Sequence, residues 1–391
     1  MPASRFPMNN NLSASNRIAR QINRNLIFNQ IRTGQPISRA DLARASGLQR
    51  STVSLIVEEL IAERWIIEGS IGEIPRGRKP TFLHLNEQRG VLALDIHPAQ
   101  TTLAVIDLSG KIVEQKMIAL PEDPKKVINV ILNAISKMLA AYHDRSFEGI
   151  GITLPARFDT HREKSIFAPN VEWPIAQIKS RVERAIQLPV VADNVANACA
   201  LSEIWLGHSE SLNDLVVVNV SEGIGTGIFA NGRILRGEDG AAGEFGHVQI
   251  GASGLRCNCG GIGCWETIGS NRAGLRYYKE LASKSLPSFE SLLQLVEAGD
   301  KAATEAVCRM CKALGRGMHM IALSLAPKEI VLVGDITTIW NITGPIIEEE
   351  LRQYPLVRVP RIRPALEGNK ARLRSAVALV MSASRLSSSM K

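Results

Sequence analysis

The sequence predicts an α/β protein, with an N-terminal winged helix-turn-helix head joined to two α/β lobes that enclose a cleft. Three observations carry that prediction. Two helical patterns within residues 37–63 flank the turn Ser46-Gly47-Leu48, which is the helix-turn-helix arrangement. Strand groups separated by helices then occur twice, from Val91 and again from Leu215, and each run implies one layered lobe. At 391 residues the chain also exceeds what one hydrophobic core usually organises. A cleft between lobes is where a small ligand is expected.

Residues 1–16 are polar, rich in Asn and Ser, and read as disordered. From Asn16 a helical period sets Ile18, Ile22, Leu26, Ile27 and Ile31 on one face, and Thr33–Pro36 ends it. A short helix follows over Ile37–Ala45, with Ser38 as cap and Asp41 in the capping-box position. The third helix, Gln49 to about Glu63, buries Val53, Ile56, Val57, Leu60 and Ile61. Its leading end presents Gln49, Arg50, Ser51, Thr52 and Ser54, all able to hydrogen-bond phosphates or base edges. After Trp65–Gly69 a strand pair holds Pro75-Arg76-Gly77-Arg78-Lys79-Pro80 between its arms, a basic wing suited to a narrow minor groove. Charge agrees with this reading. Residues 1–82 carry twelve Lys and Arg against six Asp and Glu, most of the chain's net +8, so a basic head rides on a nearly neutral body.

From Val91 the texture changes. Strands are expected at 91–96, 102–107 and 112–120, a helix from about Asp123 to Tyr142, and a buried strand at Gly149–Leu154. Val190–Ala192 then delivers Asp193-Asn194-Val195-Ala196-Asn197 to a helix start. The second run comprises Leu215–Val220, Gly223–Ala230, a hairpin turn at Asn231-Gly232, helices near 272–284, 288–298 and 301–325, and a strand at Glu329–Gly334. No apolar run is long enough to span a bilayer, and the first residues lack a secretory core. Six cysteines, half of them in one cluster, suit a reducing cytoplasm.

That cluster is the strongest chemical signal. Cys257, Cys259 and Cys264 fall within eight residues in a C-x-C-x4-C spacing, and His247 stands ten positions upstream. Three glycines between the last two cysteines let a short loop fold back so that the thiolates face one point. Cys3His is a structural zinc set. The alternatives are a disulfide or loop cysteines with no common role. Cys308 and Cys311 lie in an apolar helical stretch and read as core.

Glu244-Phe245-Gly246-His247, followed by Cys257-Asn258-Cys259-Gly260-Gly261-Ile262-Gly263-Cys264-Trp265-Glu266, resembles the signature of the ROK group of sugar kinases and sugar-responsive repressors. The resemblance spans almost the whole chain. It implies a two-lobed, actin-like (ribonuclease H-like) sugar-kinase fold behind the head. The implied division is 1–82 for the head, 83–200 with 370–391 for a smaller lobe, and 201–369 for a larger lobe with the zinc loop. It also implies His247, Cys257, Cys259 and Cys264 as zinc ligands, and Asn170, Asn194, Glu244, His247 and Glu266 as sugar contacts. Residue chemistry alone leaves Asn194 as a helix cap, Glu244 as a surface acid and Glu266 as a partner of a helix dipole. Asn170, in Ala168-Pro169-Asn170, resembles a family loop that closes over the sugar.

The chain departs from the kinases of that group wherever phosphate chemistry is done. Their first phosphate loop resembles D-I-G-G-T, whereas Asp95-Ile96 is followed here by His97-Pro98-Ala99-Gln100-Thr101. The second resembles T-L-G-T-G-I-G, but Ser221-Glu222 puts a carboxylate where phosphates would lie. Gly334-Asp335 is also poorer in glycine than the adenosine loop of the kinases. Aligning Asn194 and Asn197 with the kinase N-D-A-N sets Val195 at the position of the aspartate base, and an isopropyl group accepts no proton. Asp193 is not a relocated base, because two extended residues displace it by roughly 6–7 Å.

The expected function follows: a cytoplasmic repressor in the branch similar to glucose- and N-acetylglucosamine-responsive repressors. It would bind operator DNA as a homodimer or tetramer, hold structural zinc, and bind a sugar or sugar phosphate without phosphorylating it. It is not expected to be an enzyme or to insert into membranes. Two alternatives stand beside this, a sugar kinase with an accessory DNA-binding head and a repressor relieved by a protein of the sugar-uptake system.

Overall fold

The computed structural model describes residues 11–71, 81–97, 101–159, 162, 164–168, 171, 175–206, 214–250, 254–353 and 358–384. The head comprises α1 (Asn11–Gly34), β1 (Ile37–Ser38), α2 (Arg39–Ser46), α3 (Arg50–Ala62), β2 (Ile66–Ile71) and β3 (Thr81–Leu85). The capping box forms as expected: the Ser38 hydroxyl accepts from the Asp41 N–H, and the Asp41 carboxylate accepts from the Ser38 N–H. Val53, Ile56, Val57 and Leu60 of α3 pack with Leu42 of α2 and Ile27, Phe28 and Ile31 of α1. β3 pairs antiparallel with both β1 and β2.

Helix α1 differs from the sequence reading. It begins at Asn11 rather than Asn16, and Ile22 and Leu26 are 52% and 38% exposed. Only its last turns reach the head core, so the apolar period upstream has nothing to cover it among the described residues. The expected head boundary at residue 82 falls inside β3, which is the central strand of this small sheet.

The first lobe runs β4 (Arg89–Ile96), β5 (Thr101–Asp107), β6 (Ile112–Ile118), α4 (Val127–Ala141), β7 (Ser146–Leu154), β8 (Arg157–Asp159), β9 (Lys164–Phe167), α5 (Ile178–Ile186), β10 (Val190–Asn194) and α6 (Val195–Trp205). The second runs β11 (Leu215–Val220), β12 (Ile224–Ala230), β13 (Arg233–Ile234), α7 (Glu266–Gly269), α8 (Asn271–Ala282), α9 (Phe289–Glu297), α10 (Lys301–Leu325), β14 (Glu329–Val333), α11 (Trp340–Arg352), β15 (Arg361–Pro364) and α12 (Ala371–Ala383). The two five-stranded sheets have one topology: β6-β5-β4-β7-β10 and β13-β12-β11-β14-β15, each with three antiparallel strands and then two added in parallel. The second lobe is a structural repeat of the first.

Both sheets are covered on both faces, which is why their central strands read as unbroken apolar runs. Leu92 and Leu94 of β4 face α4 and α5, while Val91 and Ala93 face α12 and join the core of the head. In the second sheet Val216 and Val218 face α8–α11, and Leu215 and Val217 face α6. Helix α6 therefore packs on the second sheet although it follows the last strand of the first, and α12 crosses back to the first sheet. The expected boundary between residues 200 and 201 thus falls within a single helix.

Helix α4 starts at Val127 rather than Asp123, because Asp123 accepts from the Lys125 N–H and holds the residues around Pro124 in a turn. The strands β8, β9 and β15 and the helices α5 and α11 were not anticipated. No helix among the described residues is long and apolar enough to cross a membrane.

The approach of α6 to β12 depends on Gly227. A Cβ there would lie 2.1 Å from the Ala196 carbonyl oxygen, a backbone clash that no rotamer relieves. Gly227→Ala is expected to destabilise the chain by about 1–3 kcal/mol, as overpacking does, seen as a lower urea midpoint. An unchanged midpoint would contradict this packing.

Candidate ligand cleft and metal site

A cleft opens between the lobes. The first lobe lines it from the ends of β7, β8, β9 and β10, and the second from the start of β12 and the turn Gly243–His247. That turn is pressed onto β12: a Cβ on Gly246 would meet the Ile224 carbonyl oxygen at 2.0 Å. The close seating aims Glu244 and His247 into the cleft, where Glu266, at the start of α7, joins them.

His247 looks two ways. Its Nδ1 lies 3.5 Å from Cys257 Sγ, and its Nε2 lies 3.7 Å from a Glu244 carboxylate oxygen on the cleft side. Cys259 Sγ and Cys264 Sγ are 3.7 Å apart, and the four candidate ligand atoms all lie within 4.8 Å of one another. A tetrahedral ion with Zn–S of about 2.3 Å and Zn–N of about 2.0–2.1 Å needs S···S edges of about 3.8 Å and S···N edges of about 3.5 Å. Both separations fit. Burial foremost, and the Glu266 carboxylate and Cys259 thiol beside them, push the Cys257 and Cys264 thiols above their ordinary value. A cation at the centre reverses that tendency. The cluster therefore has the donor set and the spacing to hold a metal ion.

The two cleft carboxylates have distinct surroundings. Burial raises the Glu244 carboxyl, with Glu266 adding to the rise and His247 and Arg157 opposing it. Glu266 accepts from the Cys257 thiol at 2.7 Å.

On the opposite wall Asn194 caps α6, its Oδ1 accepting from the Ala196 N–H at 2.8 Å while its Nδ2 donates to the Ala156 carbonyl at 2.9 Å. The cap is thus realised, and one N–H and one lone pair remain toward the cleft. Val195 lines the cleft beside it and is 3% exposed. Asp193 is turned away: it is 1% exposed, accepts from the Asn194 N–H, and pairs with Arg236 of the second lobe at 2.7 Å. Burial holds its carboxyl above the usual value despite that partner.

The far end of the cleft contains the chain's own charges. Asp95 receives two hydrogen bonds from Arg372 of α12, both 2.9 Å, and one from Thr153 at 2.6 Å. Burial alone would raise the Asp95 carboxyl, but the Arg372 charge and these bonds hold it below 3.8. Glu222 meets His97 across the cleft at 2.6 Å, and its carboxyl is likewise held down against burial. Sequence reasoning did not single out Arg372, although two arginines, Arg372 and Arg374, in a helix otherwise built of Ala, Leu, Val, Met and Ser were a readable signal. Arg157 and Phe167, which also line the cleft, carried no such signal.

Of the residues expected to meet DNA, Gln49, Arg50 and Ser51 are exposed and Thr52 and Ser54 are half-buried at the start of α3. Arg76, Arg78 and Lys79 lie outside the described residues, as does Asn170.

The model of the ROK family matches residues 91–383. The chain belongs to the ROK family. A xylose repressor from Bacillus spizizenii is 31% identical over 329 residues, which are 83% of this chain and 84% of that protein. Among solved structures, a ROK family transcriptional regulator described as a homologue of the Escherichia coli MLC protein superposes with a TM-score of 0.74 at 26% identity, covering 93% of this chain and 97% of its own. A ROK family glucokinase from Streptomyces griseus, solved with glucose and AMPPNP, reaches 0.67 at 26% identity but covers 74% of this chain and 98% of its own. The regulator thus matches nearly the whole chain, and the kinase about three-quarters of it.

Breaking the Asp95–Arg372 pair of this ROK protein leaves a buried carboxylate uncompensated. Arg372→Ala is expected to lose about 3–5 kcal/mol in urea unfolding at neutral pH. Because Asp95 is depressed in the fold, the contribution of the pair is complete above its ordinary value of 3.8 and is lost as pH falls through the lower folded value. The difference between wild type and mutant should therefore narrow below about pH 4, and a gap that persists in acid would refute the assignment.

Proposed function

We propose that this ROK protein is a sugar-responsive transcriptional repressor that binds its effector in the cleft and does not phosphorylate it. The observation that supports this reading best is helix α6. It begins in the cleft, with Val195 where phosphoryl transfer needs a proton acceptor, and ends at Trp205, whose ring lies 5.4 Å from the Arg32 guanidinium of the head. One rigid element of about 16 Å thus connects ligand and head. The Asp95–Arg372 and His97–Glu222 pairs add a second reason, since the phosphate half of the cleft is charged from within.

On this reading the chain acts in the cytoplasm as a dimer or tetramer. The head presents Gln49, Arg50, Ser51, Thr52 and Ser54 to the major groove, and Arg76, Arg78 and Lys79 reach a minor groove. The first lobe is completed by the C-terminal helix, and the second carries the metal loop. Glu244, Glu266, the cleft-side nitrogen of His247, the spare capacity of Asn194 and the loop of Asn170 hold sugar hydroxyls. The effector works only through binding one lobe arrangement better than the other.

His247, Cys257, Cys259 and Cys264 would hold zinc in a structural role. As a thiolate, Cys257 no longer donates to Glu266, which frees that carboxylate to accept from a hydroxyl. Cys259→Ser is expected to abolish metal retention by elemental analysis, along with sugar binding and operator binding. A metal-free mutant that still bound both would defeat the assignment.

The function itself is tested by operator release. A true effector at about 100 times its dissociation constant adds roughly 2.7 kcal/mol to stability and should lower operator affinity, while a coupled assay detects no ADP release with sugar and ATP. Trp205→Ala should keep the sugar-induced thermal shift but weaken operator release about two- to fivefold, the worth of a cation–π contact. ADP release at an enzymatic rate would replace this reading with the kinase one.

A further inference from the structure

Arg157 stands on β8 in the first-lobe wall of the cleft, directly opposite Phe167 in the β8–β9 pairing. Its Nε is fully buried with no acceptor, and among the described residues the guanidinium makes no hydrogen bond or ion pair. The other charges along the cleft differ in having an opposite charge within 3 Å. Arg372 is committed to Asp95, Glu222 to His97, and Arg236 to Asp193. A part-buried guanidinium with no hydrogen-bond partner among the described residues is costly, and its planar fork matches a carboxylate or phosphate in two parallel hydrogen bonds.

We infer that Arg157 is the anion-recognising group of the cleft, so that the effector is an acidic sugar carrying a phosphoryl or carboxylate substituent rather than a neutral sugar. This rests on the proposed sugar-binding reading and narrows its ligand class. The two facing walls of the cleft suit such a molecule. Glu244 and Glu266 of the second lobe accept from neutral hydroxyls, and Arg157 faces them from the first-lobe wall, near enough for its charge to act on Glu244, so an anionic substituent is held by the guanidinium while the hydroxyls meet the carboxylates. Phe167 beside Arg157 presents an apolar ring, 36% exposed, to the C–H face of the pyranose. A neutral sugar would leave the Arg157 Nε buried and unpaired, whereas an anionic one removes that penalty on binding.

The test is calorimetric titration of the full-length protein with glucose, glucose 6-phosphate, glucuronate, N-acetylglucosamine, N-acetylglucosamine 6-phosphate and xylose. At least one acidic sugar is expected to bind roughly ten- to a hundredfold more tightly than its neutral parent, the range of a charge-assisted pair. Preference for the phosphates identifies a phosphoryl group, and preference for glucuronate a carboxylate. In Arg157→Gln the ratio of acidic to neutral affinity should fall to about one, and Arg157→Lys should restore part of it, with the ligand-free unfolding midpoint of each variant checking the fold. A wild type that binds a neutral sugar at least as tightly as its acidic forms would overturn the assignment while leaving the sugar-binding reading intact. An acidic preference that survives in Arg157→Gln would overturn it as well. Binding of none of the six would sink both readings together.

Discussion

The architecture depends on a helix buried on both sides. Helix α6 has one sheet's last strand leading into it and the other sheet packed against it, and α12 crosses beside it in the opposite sense. Such a helix has little room for side chains. Ala196, Ala198 and Ala200 supply small ones, and Gly227 removes the last obstacle on the facing strand. The same closeness fixes the cleft, because the first turn of α6 carries Asn194 and Val195 at its floor. A change in lobe angle must move this helix or shear it against β12, and closely packed interiors resist continuous deformation. Discrete alternative positions are therefore the physical form that a response to ligand takes in this fold.

A helix N-terminus facing a cleft is a ready anion site, and a phosphotransferase would use it. Here one of the orphan donors, the Ala196 N–H, is already engaged by the Asn194 side chain. Beyond it, Arg372 neutralises Asp95, and His97 does the same for Glu222 when protonated. In a poorly screened interior these are paired charges that a nucleotide would have to break, each at a cost of several kcal/mol. The lobes share their fold with a ROK glucokinase, and at this end of the cleft the chain's own charges pair with one another. The other end keeps Glu244, His247 and Glu266 facing the cleft.

Much of this was legible in the sequence, and the reason lies in period and spacing. Ser38 and Asp41 announce their capping box because it is a local reciprocal bond three residues long. The cysteine loop was readable as a candidate metal site because the glycines and the C-x-C-x4-C spacing let three thiols face one point, and the structure brings them with His247 within 4.8 Å of one another. Leu215–Val220 reads as a strand buried on both faces. What stayed hidden depends on contacts distant in sequence. Strands of three or four residues such as β8 and β9 show no period, so nothing marked Arg157 and Phe167 as neighbours. Arg372 meets Asp95 across 277 positions, and Ile22 looked like core only because the period of a helix does not say where its neighbour ends.

The lobes are joined across the cleft by few charged contacts, and their exposure decides their weight. Arg162 meets Asp239 at 2.7 Å, but the two side chains are 60% and 45% exposed, so solvent leaves that pair worth little. Asp193–Arg236 and His97–Glu222 are far more enclosed and weigh more in the polar coupling across the cleft. Shifting a two-state balance from 1:99 to 99:1 takes about 5.5 kcal/mol of differential binding. Four or five hydrogen bonds to a sugar, at roughly 1 kcal/mol net apiece, approach that figure only if nearly all are specific to one lobe angle. One charge-assisted bond worth about 1.5–3 kcal/mol closes the gap. A ligand that reaches a cation on one lobe and the cleft carboxylates on the other is thus better suited to drive the change than one whose contacts lie on a single wall.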